Sequence, residues 1–169
     1  MEEKKYDIVV IGGGPGGYEA ALRASALGMK AAIVEKEYIG GTCLNHGCIP
    51  TKTLLHTANW YRHAKEFDLI GLHIDHLSYD INKMHQRKDE VIKTLRSGIL
   101  SLLKSNKIDY WNGCATITGN HEIVIQLNVN GQEEISKTEK TTLYAENILI
   151  ATGAKPVKLP ISGIELPTV

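Results

Sequence analysis

The sequence predicts an α/β fold, a parallel sheet with an added antiparallel β excursion. Three observations predict it. An apolar, β-branched run passes through clustered glycines into an Ala- and Leu-rich helix and then a second apolar run. A long amphipathic periodicity occupies the middle of the chain, and a succession of short β-type runs fills the remainder.

Tyr6 to Ile11 is short, continuously apolar and β-branched, as a strand buried on both faces should be. After the glycines, Tyr18 to Leu27 is free of breakers and predicts a helix ending at Gly28. Ala31 to Val34 predicts a second strand, stopping at Glu35. Two parallel strands joined in this way require a right-handed crossover. Beyond Gly40-Gly41, helix is expected from about Cys43 to Phe67, disturbed near Gly47 and Pro50. Residues 68–79 read as irregular. Ile81, Met84, Val91, Ile92, Leu95, Ile99, Leu102 and Leu103 then keep helical spacing over about 80–105. The β candidates are 108–112, 114–118, 121–127, about 133–145 and 146–151, with a hairpin turn at Asn130-Gly131. Prolines at 156, 160 and 167 mark a linker-like tail.

Composition narrows the function classes. The 169 residues suffice for one domain that buries about 70% of its unfolded surface. With 19 basic and 19 acidic residues the chain is formally neutral, so nothing draws it to nucleic acid or an anionic membrane. No apolar run reaches the roughly 18 residues of a membrane span. The charged start, Met1 to Asp7, fits neither a signal nor a transit peptide, so a cytoplasmic protein whose fold begins near residue 5 is expected. Three cysteines, Cys43, Cys48 and Cys114, are too few for a secreted disulfide framework.

Gly12 to Gly17 satisfies G-x-G-x-x-G between strand and helix. Gly12 makes the tight turn, Gly14 lets a pyrophosphate approach the backbone, and Gly17 lets helix and strand pack closely. The helix N-terminus offers free N–H groups and a positive dipole end to phosphates. Glu35, at the end of the next strand, can accept both hydroxyls of an adenosine ribose and would repel a 2′-phosphate. The pattern points to a dinucleotide and does not separate NAD from FAD.

Cys43 and Cys48 stand five positions apart. In a regular helix that exceeds the Cα separation a disulfide prefers, about 4.4 to 6.8 Å, so a bridge needs a distorted turn, which Gly47 and Pro50 can provide. A strained bridge is readily reduced, and a helix start is expected to lower a thiol pKa. The competing readings are two small buried hydrophobes, half a zinc site completed by His46 or His56, and a structural disulfide. Zinc lacks the usual spacing and a second ligand pair, and a reducing cytosol disfavours a structural bridge. The fingerprint upstream favours a redox pair.

Gly40 to Lys52 resembles the active-site signature of the class I pyridine nucleotide–disulfide oxidoreductases, G-G-x-C-x₄-C-x-P-[ST]-K, with every fixed position filled. Ile148 to Gly153 resembles the A-T-G strand end of the same family. The resemblance extends from Tyr6 to about Val169 and implies a Rossmann-like FAD/NAD(P)-binding fold. It implies three catalytic residues: Cys48 as the thiol against the flavin, giving a charge-transfer thiolate in the reduced enzyme, Cys43 as the interchange thiol, and Lys52 beside the isoalloxazine ring. The FAD-lining set it implies comprises Gly12, Gly14, Pro15 and Gly17 of the first loop, Glu35 and Lys36, then Gly41, Thr42, Cys43 and Lys52. The backbone at Ala115 and the Thr152-Gly153 end complete it. No metal site is implied.

Within the family, the Gly14 to Tyr18 and Ala20 to Ala24 runs, Asn45, Ile49 to Lys52 and Leu54-Leu55 most resemble the members that oxidise dihydrolipoamide. Residue 15 is not the Ser usual in glutathione reductases, and mercuric reductases need a further C-terminal cysteine pair. By resemblance, protein-bound dihydrolipoamide reduces the Cys43–Cys48 disulfide, and electrons pass through FAD to NAD. The partners implied are the lipoyl-bearing component of 2-oxo acid dehydrogenase complexes and a second subunit in a homodimer. Family members run to several hundred residues. This sequence holds no second G-x-G-x-x-G, and the family's His–Glu dyad belongs to a later interface domain. Residues 1–153 are therefore expected to be the FAD-binding domain and 154–169 a linker toward an NAD-binding domain. The 169 residues by themselves are expected to be inactive. A glutathione- or mercuric-reductase-like enzyme and a non-catalytic flavin-binding module are the alternatives. None of the seven histidines is assigned the acid/base role; His63, His73, His76 and His85 read as solvated, and Cys114 as an inert core residue.

Overall fold

A computed structural model describes residues 4–128, 135–157 and 159–166, with side chains for all of these except 128 and 135–139. Strand β1 (Lys4–Ile11) leads into helix α1 (Pro15–Ala26), and β2 (Ala31–Glu35) follows. Helix α1 begins three residues before the expected Tyr18. Pro15 occupies its first turn, where a missing N–H costs nothing and the fixed φ suits the helix. Gly16 and Gly17 continue it, although glycine's low helix propensity argues against helix there.

The stretch expected as one disturbed helix is two. Helix α2 (Gly41–His46) and α3 (Cys48–Ala64) meet at Gly47, whose backbone angles of φ −126° and ψ −103° are not helical. Pro50 causes no break, because it lies in the first turn of α3, where no N–H is required of it. A 3₁₀ turn spans Phe67–Ile70.

Helix α4 (Ile81–Ser105) matches its periodicity and buries Ile92, Ile99 and Leu103. Its N-cap is Asp80, whose carboxylate accepts from the backbone N–H groups of Asn82 at 2.9 Å and Lys83 at 3.2 Å. Removing such a cap costs about 1 kcal/mol. Asp80→Ala is expected to lower stability by that amount in a urea titration, and an unchanged midpoint would show the cap to be idle.

Strands β3 (Asp109–Gly119), β4 (Glu122–Asn128) and β5 (Ile135–Ile150) complete the chain. The sequence suggests two strands on either side of Gly113 and two on either side of residue 146; each pair is a single strand. The Asn130-Gly131 turn lies outside the described residues. Strand β1 pairs in parallel with both β2 and β5, and β2 pairs in parallel with β3. Strand β4 runs antiparallel to β3 and β5, closing the strands into a ring in the order β1-β2-β3-β4-β5.

The ring explains why β1 and β2 are apolar on both faces. Val10 and Ile33 face the helices, packing with Ala21 and Ala24 of α1 and Ile92, Ile99 and Leu103 of α4. Val9, Ala32 and Val34 face inward, against Ile123 and Ile125 of β4 and Leu143 of β5. The excursion thus covers the second face of the parallel strands. Cys114 lies on β3, half-buried and outside both core clusters, so it is not the core residue expected. Among the described residues no helix is long and apolar enough to cross a membrane.

Candidate functional site: a dinucleotide cleft and a cysteine pair

Three chain segments converge at the C-terminal ends of β1, β2 and β5. Gly12 turns off β1 at φ +111° and donates its N–H to the Val34 carbonyl at 2.8 Å. The Ala151 N–H donates to the Ile11 carbonyl at 2.8 Å, which holds the end of β5 beside the same turn. The Gly40 N–H donates to the Gly13 carbonyl at 2.7 Å, drawing the second glycine loop onto the first. The two loops touch: a Cβ on Gly41 would stand 2.8 Å from the Gly14 Cα.

Between these segments lies an open cleft of about 780 Å³. Gly14, Pro15, Glu35, Lys36, Gly41, Thr42, Cys43, Thr152 and Gly153 all line it, so most of the expected cofactor set shares one cavity. Gly12 and Gly17 shape it from behind: Gly17 is buried with its Cα against the Gly12 carbonyl. Lys52 is exposed on α3, and Ala115 packs against the interior of the ring; neither is in the cleft wall. Ala154, Lys155 and Pro156, in the segment expected to be a linker, belong to the wall, and the Lys155 Nζ stands 3.8 Å from the Glu37 carboxylate.

The cleft suits a dinucleotide. Helix α1 opens with no side-chain cap and no acidic residue in its first turn, so nothing offsets its positive dipole end, although Pro15 lacks an N–H and Gly17 donates its own to the Gly14 carbonyl at 2.9 Å. A Cβ on Gly14 would meet nothing nearer than 3.7 Å, so the space that this glycine leaves open belongs to the cleft. Glu35 accepts from the N–H groups of Gly13 and Glu37, both at 2.7 Å. A carboxylate has about four lone-pair sites, so two remain for ribose hydroxyls. Burial first and the Glu35 charge second push Tyr110, behind the cleft, up to about 12.

Two contributors escape the sequence reading. Gly13 fills a variable position of the fingerprint, yet its N–H orients Glu35, and a Cβ there would stand 2.7 Å from Ile39 Cδ1. Arg96, on α4, donates from Nε to the Asn45 Oδ1, and its guanidinium lies 3.7 Å above the Tyr38 ring. In the sequence it is one more polar residue on an amphipathic helix, and no local signal marks it.

Cys43 sits in α2 and Cys48 opens α3, on either side of the Gly47 break, both as exposed free thiols. The break brings their side chains within hydrogen-bonding reach. That hydrogen bond with Cys48 is the main reason the Cys43 pKa is raised, while the Lys52 charge works in the opposite direction. The lowering expected from a helix start is therefore overturned at Cys43, because the neighbouring sulfur dominates. His46 also lines the cleft, and His63, His73, His76 and His85 are exposed. Among the described residues no three His, Cys, Asp or Glu side chains are grouped to hold a metal ion.

A glycine-loop cleft on a parallel sheet, with one thiol in its wall and a second across the Gly47 break, defines a nucleotide-binding α/β protein equipped for thiol–disulfide chemistry. A profile of the pyridine nucleotide-disulphide oxidoreductase family matches residues 6–168, and the chain belongs to that family. It is 42% identical over 163 residues to the dihydrolipoyl dehydrogenase of Acholeplasma laidlawii, covering 96% of this chain and 45% of that protein. The enzyme of the same name from Rhizobium etli is 45% identical over 169 residues, covering 96% of this chain and 35% of the relative. The chain thus spans less than half the length of these relatives. Among solved structures, the Cu(II) complex of the HOCl-induced flavoprotein disulfide reductase RclA from Escherichia coli superposes with a TM-score of 0.73. Identity there is 31%, over 97% of this chain and 32% of that one.

If the carboxylate holds ribose hydroxyls, Glu35→Ala removes a charge-assisted hydrogen bond worth roughly 1.5–3 kcal/mol. That corresponds to a dinucleotide affinity about 10- to 100-fold weaker. Fluorescence titration of the apoprotein with FAD would measure it, and an unaltered Kd would reduce Glu35 to a structural anchor for Gly13.

Proposed function

We propose that the protein carrying this chain is an NAD-dependent dihydrolipoamide dehydrogenase, and that these residues are its FAD-binding part. The observation that carries this reading is the placement of Cys43 in the same cleft wall as the dinucleotide fingerprint, with Cys48 just across the Gly47 break. The similarity to dihydrolipoyl dehydrogenases supports dihydrolipoamide as the substrate. When bound, FAD supplies the two-electron relay between a dithiol and a nicotinamide.

The chain's own residues account for the thiol half of the reaction. In the oxidised protein Cys43 and Cys48 share a disulfide. A substrate thiolate attacks the Cys43 sulfur, and the electron pair of the broken bond leaves with Cys48. The second substrate thiol then displaces Cys43, so the substrate gains one S–S bond as the protein loses one. Two electrons and two protons have passed to the protein pair. Lys52, whose charge already acts on Cys43, favours the thiolate form. Glu35 and the α1 N-terminus would hold the nucleotide part of FAD, and Cys48 is the thiol assigned to exchange electrons with it. The nicotinamide site, the acid/base dyad and the subunit interface are assigned to parts of the protein outside these residues, and the lipoyl-bearing component of a 2-oxo acid dehydrogenase complex is the assigned partner.

The test is an assay of the purified protein with dihydrolipoamide and NAD beside glutathione disulfide and NADPH, together with a visible spectrum. A flavin spectrum with turnover on the first pair alone is expected. Turnover on the second pair alone, or no bound flavin, would reject the assignment.

A further inference from the structure

We propose that Arg96 is a positioning residue for the cysteine pair, clamping the segment Tyr38–Asn45 from helix α4 so that Cys43 is held within reach of Cys48. The inference rests on the reading of that pair as redox-active.

Helix α2, which carries Cys43, is poorly equipped to hold itself. It has six residues, no side-chain N-cap, and an N-cap residue, Gly40, in the left-handed region at φ +100°. So short a helix is not stable by itself. What fixes it is Asn45, a polar side chain only 8% exposed. Its Nδ2 donates to the Gly41 carbonyl at 2.8 Å, to Ile39 at 3.1 Å and to Tyr38 at 3.4 Å, tying the helix to the loop that precedes it. Asn45 stands two residues after Cys43 and three before Cys48.

That amide faces the carbonyls only if something else satisfies its oxygen. Arg96 does so through Nε, and its guanidinium stands over the Tyr38 ring, 3.7 Å from the centroid, where it holds the other end of the segment. The platform behind it is firm. Arg96 lies four residues after buried Ile92 and three before buried Ile99, on the packed face of a 25-residue capped helix. Tyr38 and Asn45 line the cleft and Arg96 does not, so it acts through them rather than on a ligand.

Releasing the clamp lowers the effective concentration of one thiol at the other. The pair should then be harder to oxidise, whatever happens to overall stability. The experiment equilibrates the intact protein in glutathione redox buffers, traps the thiols by alkylation, and reads the Cys43/Cys48 peptides by mass spectrometry. A thermal melt of each variant accompanies it. For Arg96→Met the disulfide equilibrium constant should fall about tenfold, which is about 30 mV for a two-electron couple. Arg96→Lys keeps the charge but not the planar fork, and should fall about threefold in the same direction; it is the variant to read should Arg96→Met not fold. A lowered melting temperature with an unshifted equilibrium in a folded variant would make Arg96 merely structural and overturn the proposal. No Cys43–Cys48 disulfide in the unaltered protein would overturn the redox reading itself, and the clamp with it.

Discussion

Cys48→Ser in the intact protein is expected to abolish dithiol-oxidising turnover, by on the order of 10⁴-fold or more, the scale on which removal of a covalent nucleophile acts. Cys43→Ser should stop turnover to the same degree, and the two lesions should differ in colour. By the assigned roles, reduced Cys43→Ser keeps the long-wavelength flavin–thiolate band, because the thiol assigned to the flavin, Cys48, is retained. Cys48→Ser loses it. Both cysteines are exposed and neither belongs to a core cluster, so replacing sulfur by oxygen leaves packing intact, and the loss reports chemistry. Stopped-flow reduction and a visible spectrum check both points. A band retained by Cys48→Ser and lost by Cys43→Ser would exchange the two roles. Substantial turnover in either variant would remove the pair from the mechanism.

The second large effect belongs to Gly17→Ala, one methyl group added where there is no room. Its Cβ would be driven into the Gly12 carbonyl oxygen, and the Val10 side chain lies 3.4 Å away. Helix α1 would have to lift from β1, and with it the Gly12 turn assigned to the pyrophosphate. Overpacking of this kind costs typically 1–3 kcal/mol, and a backbone obstacle places this case at about the upper end. A loss of about 3 kcal/mol lowers the melting temperature by roughly 6–12 °C in a domain of this size, and bound flavin should fall in parallel. Gly16→Ala is the control. A Cβ there meets nothing within 4 Å, and alanine exceeds glycine in helix propensity by about 1 kcal/mol, so this neighbour should be neutral or stabilised. Equal behaviour of the two variants would dismiss the close approach of helix and strand as unimportant.

The parallel core was legible in the sequence because its determinants are local. Tyr6 to Ile11, the glycine turn and Ala31 to Val34 announce a strand, a phosphate loop and a strand within 30 residues. The periodicity of α4 was equally plain, and so was the cysteine signature. The start of α1 was misplaced because Gly16 and Gly17 are poor helix formers, and only Gly17 is kept for close packing. The closure of the ring was not readable, since the alternation along β3 and β5 says nothing of which strand lies on either side. The role of Arg96 was hidden for a related reason. Its partners, Tyr38 and Asn45, lie more than 50 residues away and meet it only once α4 has packed. The raised Cys43 pKa depended on a break at Gly47 whose angles no residue type specifies.

The pairing of β1 with β5 joins Lys4 to Leu143 and Ile11 to Ile150, about 140 positions apart. Contacts of such sequence separation form late, because the entropy of closing a long loop is lost before they return anything. On a ribosome, β1, α1 and β2 emerge early, but the Gly12 turn has no Ala151 beside it until the far end of β5 has been made. The cradle therefore exists only as half a site until the end of β5 has emerged. FAD is expected to be captured after the chain has passed Gly153, and its arrival to act as a latch on a late folding step rather than as a nucleus for an early one.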